Sequence, residues 1–505
     1  MMRKPEHWEK RPSFRFSGSI FWNLVRISDF EFRISAILFV WIACCANVSA
    51  VERPNVIYIL ADDLGIGDLG CYGQEKIRTP NIDRIAAEGM RFTQHYSGNS
   101  VCAPSRCTLM TGLHCGHAPV RDNAQRAPNS EGQTPMPPST ITVAQIMKQA
   151  GYSTGMIGKW GLGMPEDKSS PSNFGFDYYY GYLCQGVAHT YYPPHLWRND
   201  QRELLPGNPP YDASMKGAIE PGGQTYSHDL MAEDSLRWVR EQKKDKPFFL
   251  YLAFTIPHVS LQVPEDSMAE YQAKGWTETP FTNTKHYANN DTPRAAYAGM
   301  ITRMDRDIGR LLALLKELGL DDHTLVFFSS DNGAVFPLSG TDPEFFKSTG
   351  GFRGYKQDLY EGGIRTPFVA RWPSHIKAGS VSDHVSAFWD FLPTMAELLG
   401  VAAPQGIDGL SFLPALLGQP GQKKHDFLYW EYHSQGGRVA VRMGDWKGIR
   451  NGMKKNPGAP LELYNLATDP AEAHDVAAEN PSVATQLREI MAREHAPSHI
   501  PAWNF

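Results

Sequence analysis

The chain reads as an α/β protein: a large mixed, mostly parallel sheet sandwiched by helices, with a smaller C-terminal α+β subdomain. Three observations predict it. Short continuous apolar runs, such as Val56-Ile57-Tyr58-Ile59-Leu60 and Leu325-Val326-Phe327-Phe328, have the unbroken hydrophobicity of strands covered on both faces. Helical patterns lie between such runs, the longest from Thr292-Pro293 to about Leu318. Beyond about residue 380 the pattern changes to short strands joined at glycine turns. A length of 505 residues leaves room for two or three domains.

The first 50 residues differ from the rest. Arg26 and Arg33 precede an apolar run over 34–46, and Val48-Ser49-Ala50 offers small residues for cleavage. This predicts a signal peptide over 1–50, a catalytic domain over 51–380 and the C-terminal subdomain over 381–505. The apolar run is short for a membrane span, so a periplasmic or secreted protein is expected, with no stable membrane insertion after cleavage. An uncleaved anchor is the alternative. The formal charge of −5 comes with no basic run in the body of the chain, and nucleic-acid binding gains no support. Of seven cysteines, Cys44 and Cys45 fall in the leader; Cys71, Cys102, Cys107, Cys115 and Cys184 remain, with no Cys-x-x-Cys pair to suggest zinc.

Residues 55–61 form the first strand, which ends in Asp62-Asp63. Ligands of open α/β sheets sit beyond the carboxyl ends of strands. Two adjacent carboxylates there repel each other unless a cation lies between them; a turn or helix cap is the plainer alternative. Thr79 caps a helix that starts at Pro80, buries Ile82, Ile85 and Ala86, and closes at Gly89. Thr142 and Gln145 make a capping box for a helix ended by Gly151. Residues 152–158 are a second strand, delivering Lys159. The stretch 178–197 is rich in aromatic residues around His189, suited to packing or to stacking on a ring. A third strand over 247–256 leads to Pro257-His258, and a fourth over 324–330 ends in Asp331-Asn332-Gly333. Residues 350–367 are glycine-rich and carry Lys356. Phe391 opens a helix to Leu399. Short antiparallel strands follow over 427–432, 438–443, 446–450 and 462–466, and Pro481 starts a last helix with Val483, Leu487, Ile490 and Met491 inward.

The stretch that organises these parts is Cys102-Ala103-Pro104-Ser105-Arg106, followed by Thr111-Gly112. A lone cysteine is most often a small buried hydrophobe, and Pro104 fits the first position of a short helix toward Gly112. Neither accounts for Ser105 and Arg106 in the same run. Cys-x-Pro-Ser-Arg followed by Thr-Gly resembles the signature of the type I, formylglycine-dependent sulfatases, of arylsulfatase kind. The resemblance recurs at Gly158-Lys159-Trp160-Gly161-Leu162-Gly163, at Asp331-Asn332-Gly333, at Gly354-Tyr355-Lys356 with the following Glu361-Gly362-Gly363-Ile364-Arg365-Thr366-Pro367, and at Ile407-Asp408-Gly409. It departs at Gly161, where many members carry histidine.

The resemblance implies an alkaline-phosphatase-like sheet and a sulfuric-ester hydrolase acting on a sulfated carbohydrate or an aryl sulfate. It implies that a formylglycine-generating enzyme, working on the unfolded chain, oxidises Cys102 to an aldehyde whose hydrate is the nucleophile. Arg106 would steady that hydrate, Lys159 and Lys356 would hold sulfate oxygens, and His258 would bind sulfate or protonate the leaving oxygen. The residues leave two readings of His189: a stand-in, from a different loop, for the histidine absent at Gly161, or a surface or core histidine with aromatic neighbours. Metal ligands would come from Asp62, Asp63, Asp331, Asn332 and the converted Cys102. The side chains of Asp62, Asp63, Asp331 and Asn332 offer hard oxygen donors, which favours Ca2+, with Mg2+ second. A phosphoester hydrolase on the same scaffold and a catalytically silent carbohydrate-binding homologue are the competing readings.

Overall fold

The computed structural model describes residues 53–127, 130–210, 222–282 and 287–505. The expected signal peptide over 1–50 lies outside the described residues. Arg53–Phe505 forms one compact unit.

The strands in chain order are β1 (Asn55–Ala61), β2 (Met90–Phe92), β3 (His95–Tyr96), β4 (Ser153–Lys159), β5 (Tyr178–Tyr182), β6 (His195–Arg198), β7 (Gln201–Leu204), β8 (Phe248–Ala253), β9 (Thr324–Ser330), β10 (Phe368–Arg371), β11 (Ser380–Ser382) and β12 (Ser386–Ala387). Ten of them make one sheet in the order β11-β2-β10-β9-β1-β8-β4-β5-β6-β7. The central run β9-β1-β8-β4-β5 is parallel throughout, while β10, β6 and β7 join antiparallel to their neighbours toward the two edges.

Strict alternation sends successive residues of a strand to opposite faces. Ile57 and Ile59 of β1, Leu250 and Leu252 of β8 and Val326 and Phe328 of β9 share one core, beneath the helices Ser227–Arg240 and Pro293–Glu317. Val56, Tyr58, Leu60, Phe249, Tyr251, Leu325 and Phe327 share the other, beneath Cys102–Thr111, Val143–Gln149 and Phe391–Leu399. Both faces are therefore dry, which is why these strands read as unbroken apolar runs.

Two local expectations change. The helix carrying the Cys-x-Pro-Ser-Arg motif begins at Cys102 itself, with Val101 as cap, so Pro104 is its third residue rather than its first. Proline is tolerated there because the first-turn N–H groups have no intrahelical partner. Thr79 precedes the helix Pro80–Ala87 but makes no side-chain cap; the Asp305 carboxylate accepts from the backbone N–H groups of Asn81 and Ile82 instead, at 3.0 and 2.8 Å. A carboxylate on a helix N-terminus is favoured by the same orphan donors and by the helix dipole.

The C-terminal sheet is antiparallel, in the order β13 (Leu428–Tyr432), β14 (Arg438–Met443), β15 (Trp446–Asn451), β16 (Glu462–Asn465). One face packs Leu428, Trp430, Ala440 and Tyr464 onto Tyr96, Val101, Ile364 and Trp389. The other packs Tyr429, Val441 and Leu463 beneath the helix Pro481–Arg493 through Ala484, Leu487 and Met491.

Candidate active site

Because β9, β1, β8 and β4 lie side by side and parallel, their carboxyl ends open onto one edge. Asp62 and Asp63 follow β1, Lys159 closes β4, and Asp331-Asn332 follows β9. His258 arrives a few residues beyond β8. Cys102 and Arg106 stand four apart on one helix, so both side chains project from the same face. Asp62, Asp63, Cys102, Arg106, Lys159, Asp331 and Asn332 are all essentially excluded from solvent, and Lys356 and His258 nearly so.

The geometry is that of an ion cradle. Cys102 Sγ lies 3.3 Å from Asp62 Oδ1 and 3.6 Å from Lys356 Nζ. Lys159 Nζ donates to Asp62 Oδ2 at 2.6 Å, and Lys356 Nζ to Asp63 Oδ2 at 2.8 Å. The Arg106 guanidinium places Nε and Nη2 on Asp331 Oδ2 at 3.0 and 2.8 Å and donates from Nη1 to the Lys159 carbonyl at 2.7 Å. The Asp63 N–H donates to Asp331 Oδ1 at 3.2 Å, and Asn332 Nδ2 to Asp63 Oδ1 at 2.8 Å. His258 presents Nε2 at 3.6 Å from Asp63 Oδ2, while its Nδ1 faces the Val259 carbonyl.

The electrostatics follow from burial and crowding. Burial favours a neutral Asp62, but Lys159, His258, Arg106 and Lys356 outweigh it and hold that carboxyl well below its usual range. Burial and the neighbouring Asp62 push Asp331 up to about 7 in spite of Arg106. Asp62 and Asp331 crowd each other in a dry site, and one more cation would relieve them. Burial, then Asp62, push the Cys102 thiol far above its ordinary value, so the sulfur stays protonated. Burial, then Lys356, depress His258 well below the usual imidazole value. Lys159 and Lys356 pay a desolvation cost, yet Asp62 and Asp63 respectively reverse it and keep both ammonium groups charged.

The residues also fit a divalent cation on a test independent of charge. Asn332 Oδ1 is buried with no hydrogen-bond partner, and an orphaned acceptor among carboxylates calls for a hard cation. Asp62, Asp63, Cys102 and His258 converge closely enough to share one ion; His258, expected to bind sulfate or protonate the leaving oxygen, therefore borders that candidate ion site as well.

Every expected site residue reaches this edge. His189 does so indirectly: its ring stacks on His258 at 5.0 Å between centroids. A cavity of about 470 Å³ opens beside them, lined in part by Asn123, Gln133, Gln185, His189, His258 and Lys356. Two of these groups carry no signal in the sequence. Asn123 Oδ1 accepts from the Ala103 N–H at 2.8 Å and so secures the first turn of the helix that carries Cys102. Gln185 fills the space beside Gly161, where a Cβ would come within 3.0 Å of its Nε2. Neither carries a motif, because amides in loops are common and their partners lie far off in sequence.

Other polar clusters are structural. His114, His117, Asp408 and Glu494 meet just beyond the helix Cys102–Thr111, but the Gly116 N–H donates to His114 Nδ1 at 3.1 Å. That leaves His114 Nε2 as an N–H toward Glu494, not a lone pair for a metal. Glu431 is shared by His433, His495, Tyr429 and Arg121, and the guanidinium already supplies its counter-charge. A cavity of about 830 Å³ between β11 and β13 is lined by none of the residues of the cradle. All five cysteines in the described residues are free.

A buried cysteine, paired carboxylates at a sheet edge and two lysines beside them make a setting suited to an anionic ester. The comparisons agree. A family model described as Sulfatase matches residues 54–401, and one described as N-sulphoglucosamine sulphohydrolase, C-terminal, matches residues 351–496. Human arylsulfatase A is 32% identical over 501 residues, covering 89% of this chain and 89% of the relative. Human N-acetylgalactosamine-6-sulfatase is 29% identical, covering 90% and 87%. Among solved structures, Ps i-CgsB in complex with k-i-k-neocarrahexaose superposes with a TM-score of 0.72 at 28% identity, over 89% of this chain and 96% of that one. The phosphonate monoester hydrolase of Agrobacterium radiobacter shares the fold, with a TM-score of 0.61 at 23% identity over 88% and 95%. The chain belongs to the sulfatase family and is a sulfuric ester hydrolase.

Proposed function

We propose that this protein releases inorganic sulfate from a sulfated carbohydrate or an aryl sulfate, using a nucleophile made from Cys102. One observation carries the reading: the Cys102 sulfur sits between Asp62 and Lys356 at 3.3 and 3.6 Å, at the centre of the cradle, yet its surroundings hold it as a thiol. A protonated, buried sulfur is a poor nucleophile toward an anion. Oxidation of Cys102 to formylglycine, by a generating enzyme that meets the chain before it folds, would put a geminal diol there, with one hydroxyl to attack sulfur and a second to expel sulfate. Burial of residue 102 in the folded protein is the reason the modification must come first.

Asp62, Asp63, Asp331, Asn332 and the converted residue 102 would hold Ca2+ in preference to Mg2+, a cation that acidifies an attacking hydroxyl and offsets charge on sulfate. With Asp62 and Asp63 committed to it, Lys159 and Lys356 are the groups left to face sulfate oxygens. Arg106, pinned by Asp331 and the Lys159 carbonyl, sets the turn of helix on which residue 102 stands. The Val259 carbonyl facing Nδ1 fixes the His258 ring in its Nδ1–H form and aims the Nε2 lone pair at the cradle, so Nε2 would hand a proton to the leaving oxygen only from the imidazolium that a bound sulfate anion favours. His189, stacked on it, borders the same cavity and is the second donor. Export to the periplasm or medium fits the leader.

Peptide mass spectrometry across Cys102, paired with turnover of sulfated sugars and an aryl sulfate, tests the reading. The expected result is an aldehyde at residue 102 in every preparation that turns over. Full activity in protein whose Cys102 remains a thiol would overturn it.

A further inference from the structure

Lys447 belongs to β15 of the C-terminal sheet, yet its side chain is fully buried and makes two ion pairs. Its Nζ lies 2.9 Å from Glu361 Oε1 and 2.9 Å from Glu472 Oε1. Glu361 is buried as well, and its other oxygen accepts from Tyr96 OH at 2.7 Å and Arg365 Nη1 at 3.1 Å. Glu472 in turn accepts the Glu361 N–H at 2.6 Å. The Glu472 carbonyl receives Arg353 Nη1 at 2.9 Å.

These contacts clasp the two ends of one loop. Arg353 stands at its start and Glu361 at its finish, and the Gly362 N–H closes the loop onto the Arg353 carbonyl at 2.7 Å. Between them lies Lys356. Its N–H donates to the Ala334 carbonyl at 2.8 Å, and the next N–H, of Gln357, to the Ser100 carbonyl at 2.9 Å. The same loop presses on the Asp331-Asn332-Gly333 turn: a Cβ on Gly333 would fall 1.9 Å from the Gly362 carbonyl oxygen. No strand leads into Lys356, so its place depends on what holds the loop ends.

We infer that Lys447 is a positioning residue for Lys356: it locks Glu361 and Glu472 together and thereby sets the height of the Lys356 ammonium over the sulfate position. A buried cation between two carboxylates is a poor source of net stability, since apolar replacements of such groups are often neutral or better. Its value is geometric, because removing it sets two buried carboxylates against each other at the foot of the loop. The inference rests on the reading that Lys356 faces sulfate.

The experiment compares Lys447→Met, Lys447→Arg, Glu472→Gln and Lys356→Ala, each checked for residue 102 conversion and melting temperature. An aryl sulfate serves as substrate and inorganic sulfate as competitive inhibitor. Lys447→Met should weaken sulfate inhibition about tenfold and raise KM in step, with kcat also lower, since misplacement of a distant support disturbs both. Glu472→Gln, which keeps the shape and the Lys447–Glu361 pair, should give about a threefold loss, and Lys447→Arg should recover part of the Lys447→Met defect. If Lys447→Met fails to fold, the sulfate constants of Glu472→Gln and Lys447→Arg decide. Unchanged sulfate constants in the folded variants, alongside a crippled Lys356→Ala, would overturn the inference. An unimpaired Lys356→Ala would instead remove the role of Lys356 on which it rests.

Discussion

Lys159 and Lys356 reach the same pair of aspartates by opposite means. Lys159 is the last residue of a central strand, fixed by β8 on one side and β5 on the other. Lys356 hangs from a glycine-rich loop, fixed by the Ala334 carbonyl below and by the C-terminal sheet at its ends. The first is placed by backbone pairing in the core, the second by side chains from a separate sheet. Rigid placement should tolerate no change of length, whereas a loop can adjust by a few tenths of an ångström. The cradle thus has a stiff wall and an adjustable one.

The largest effect should come where the two walls meet. Cys102→Ala removes the side chain both lysines face, and turnover should fall by about 10⁴-fold or more while the melting temperature holds. Activity near wild type would show that the nucleophile lies elsewhere. Next comes the contrast itself. Lys159→Ala and Lys356→Ala should each lower kcat/KM by about 10²- to 10³-fold, as expected for a cation facing developing charge in a dry site. The arginine variants should part company: Lys356→Arg keeps a measurable share of activity, Lys159→Arg almost none. Equal loss in both would mean that the loop is as rigid as the strand.

Histidines give a finer test. His258 is buried with its ring fixed; His189 borders the cavity and stacks on it. His258→Ala should cost about 10²-fold in kcat, and His189→Ala about tenfold or less, shared between kcat and KM. Substrates with good leaving groups need little protonation, so the His258→Ala defect should shrink on a nitrophenyl sulfate relative to an alkyl or sugar sulfate. A defect independent of the leaving group would make His258 a sulfate ligand.

The same division explains what the chain showed in advance. Asp62, Lys159 and Asp331 each end an apolar run, so strand and chemistry sit next to one another in the sequence, and strand order then brings them together. Lys356 has no such flank; only its motif marks it, not any local pattern. Gln185, Asn123 and Lys447 have neither. Their roles come from partners tens or hundreds of positions away, as with Lys447 and Glu361 at a separation of 86 residues. Periodicity reports which face a residue occupies, not which partner it meets there. The Thr79 cap failed for the same reason: Asp305, from a helix more than 200 residues on, took the N-terminal donors that a neighbouring hydroxyl was expected to hold.

The smallest effect concerns the C-terminal sheet as a support. Glu431 of β13 is buried among His433, His495 and Arg121, which outweigh burial and lower its carboxyl to about 2. Its unfolded value is the ordinary one, near 4.5. A carboxyl depressed on folding stabilises above its unfolded pKa and loses that contribution as pH falls through the window from about 4.5 to about 2. The shift corresponds to roughly 3 kcal/mol of pH-linked stability at neutral pH, as an order of magnitude. Glu431→Gln should therefore be less stable at pH 7, because Arg121 is left buried without its counter-charge, yet should lose less between pH 5 and pH 2 than wild type. Denaturant melts across that range measure the difference in slope. Since the other face of this strand packs onto Val101 and Ile364, beside Cys102 and the Lys356 loop, the acid midpoint of activity should move with the acid midpoint of unfolding. Activity lost well above the unfolding transition would place the sensitive group in the cradle itself rather than in the sheet that braces it.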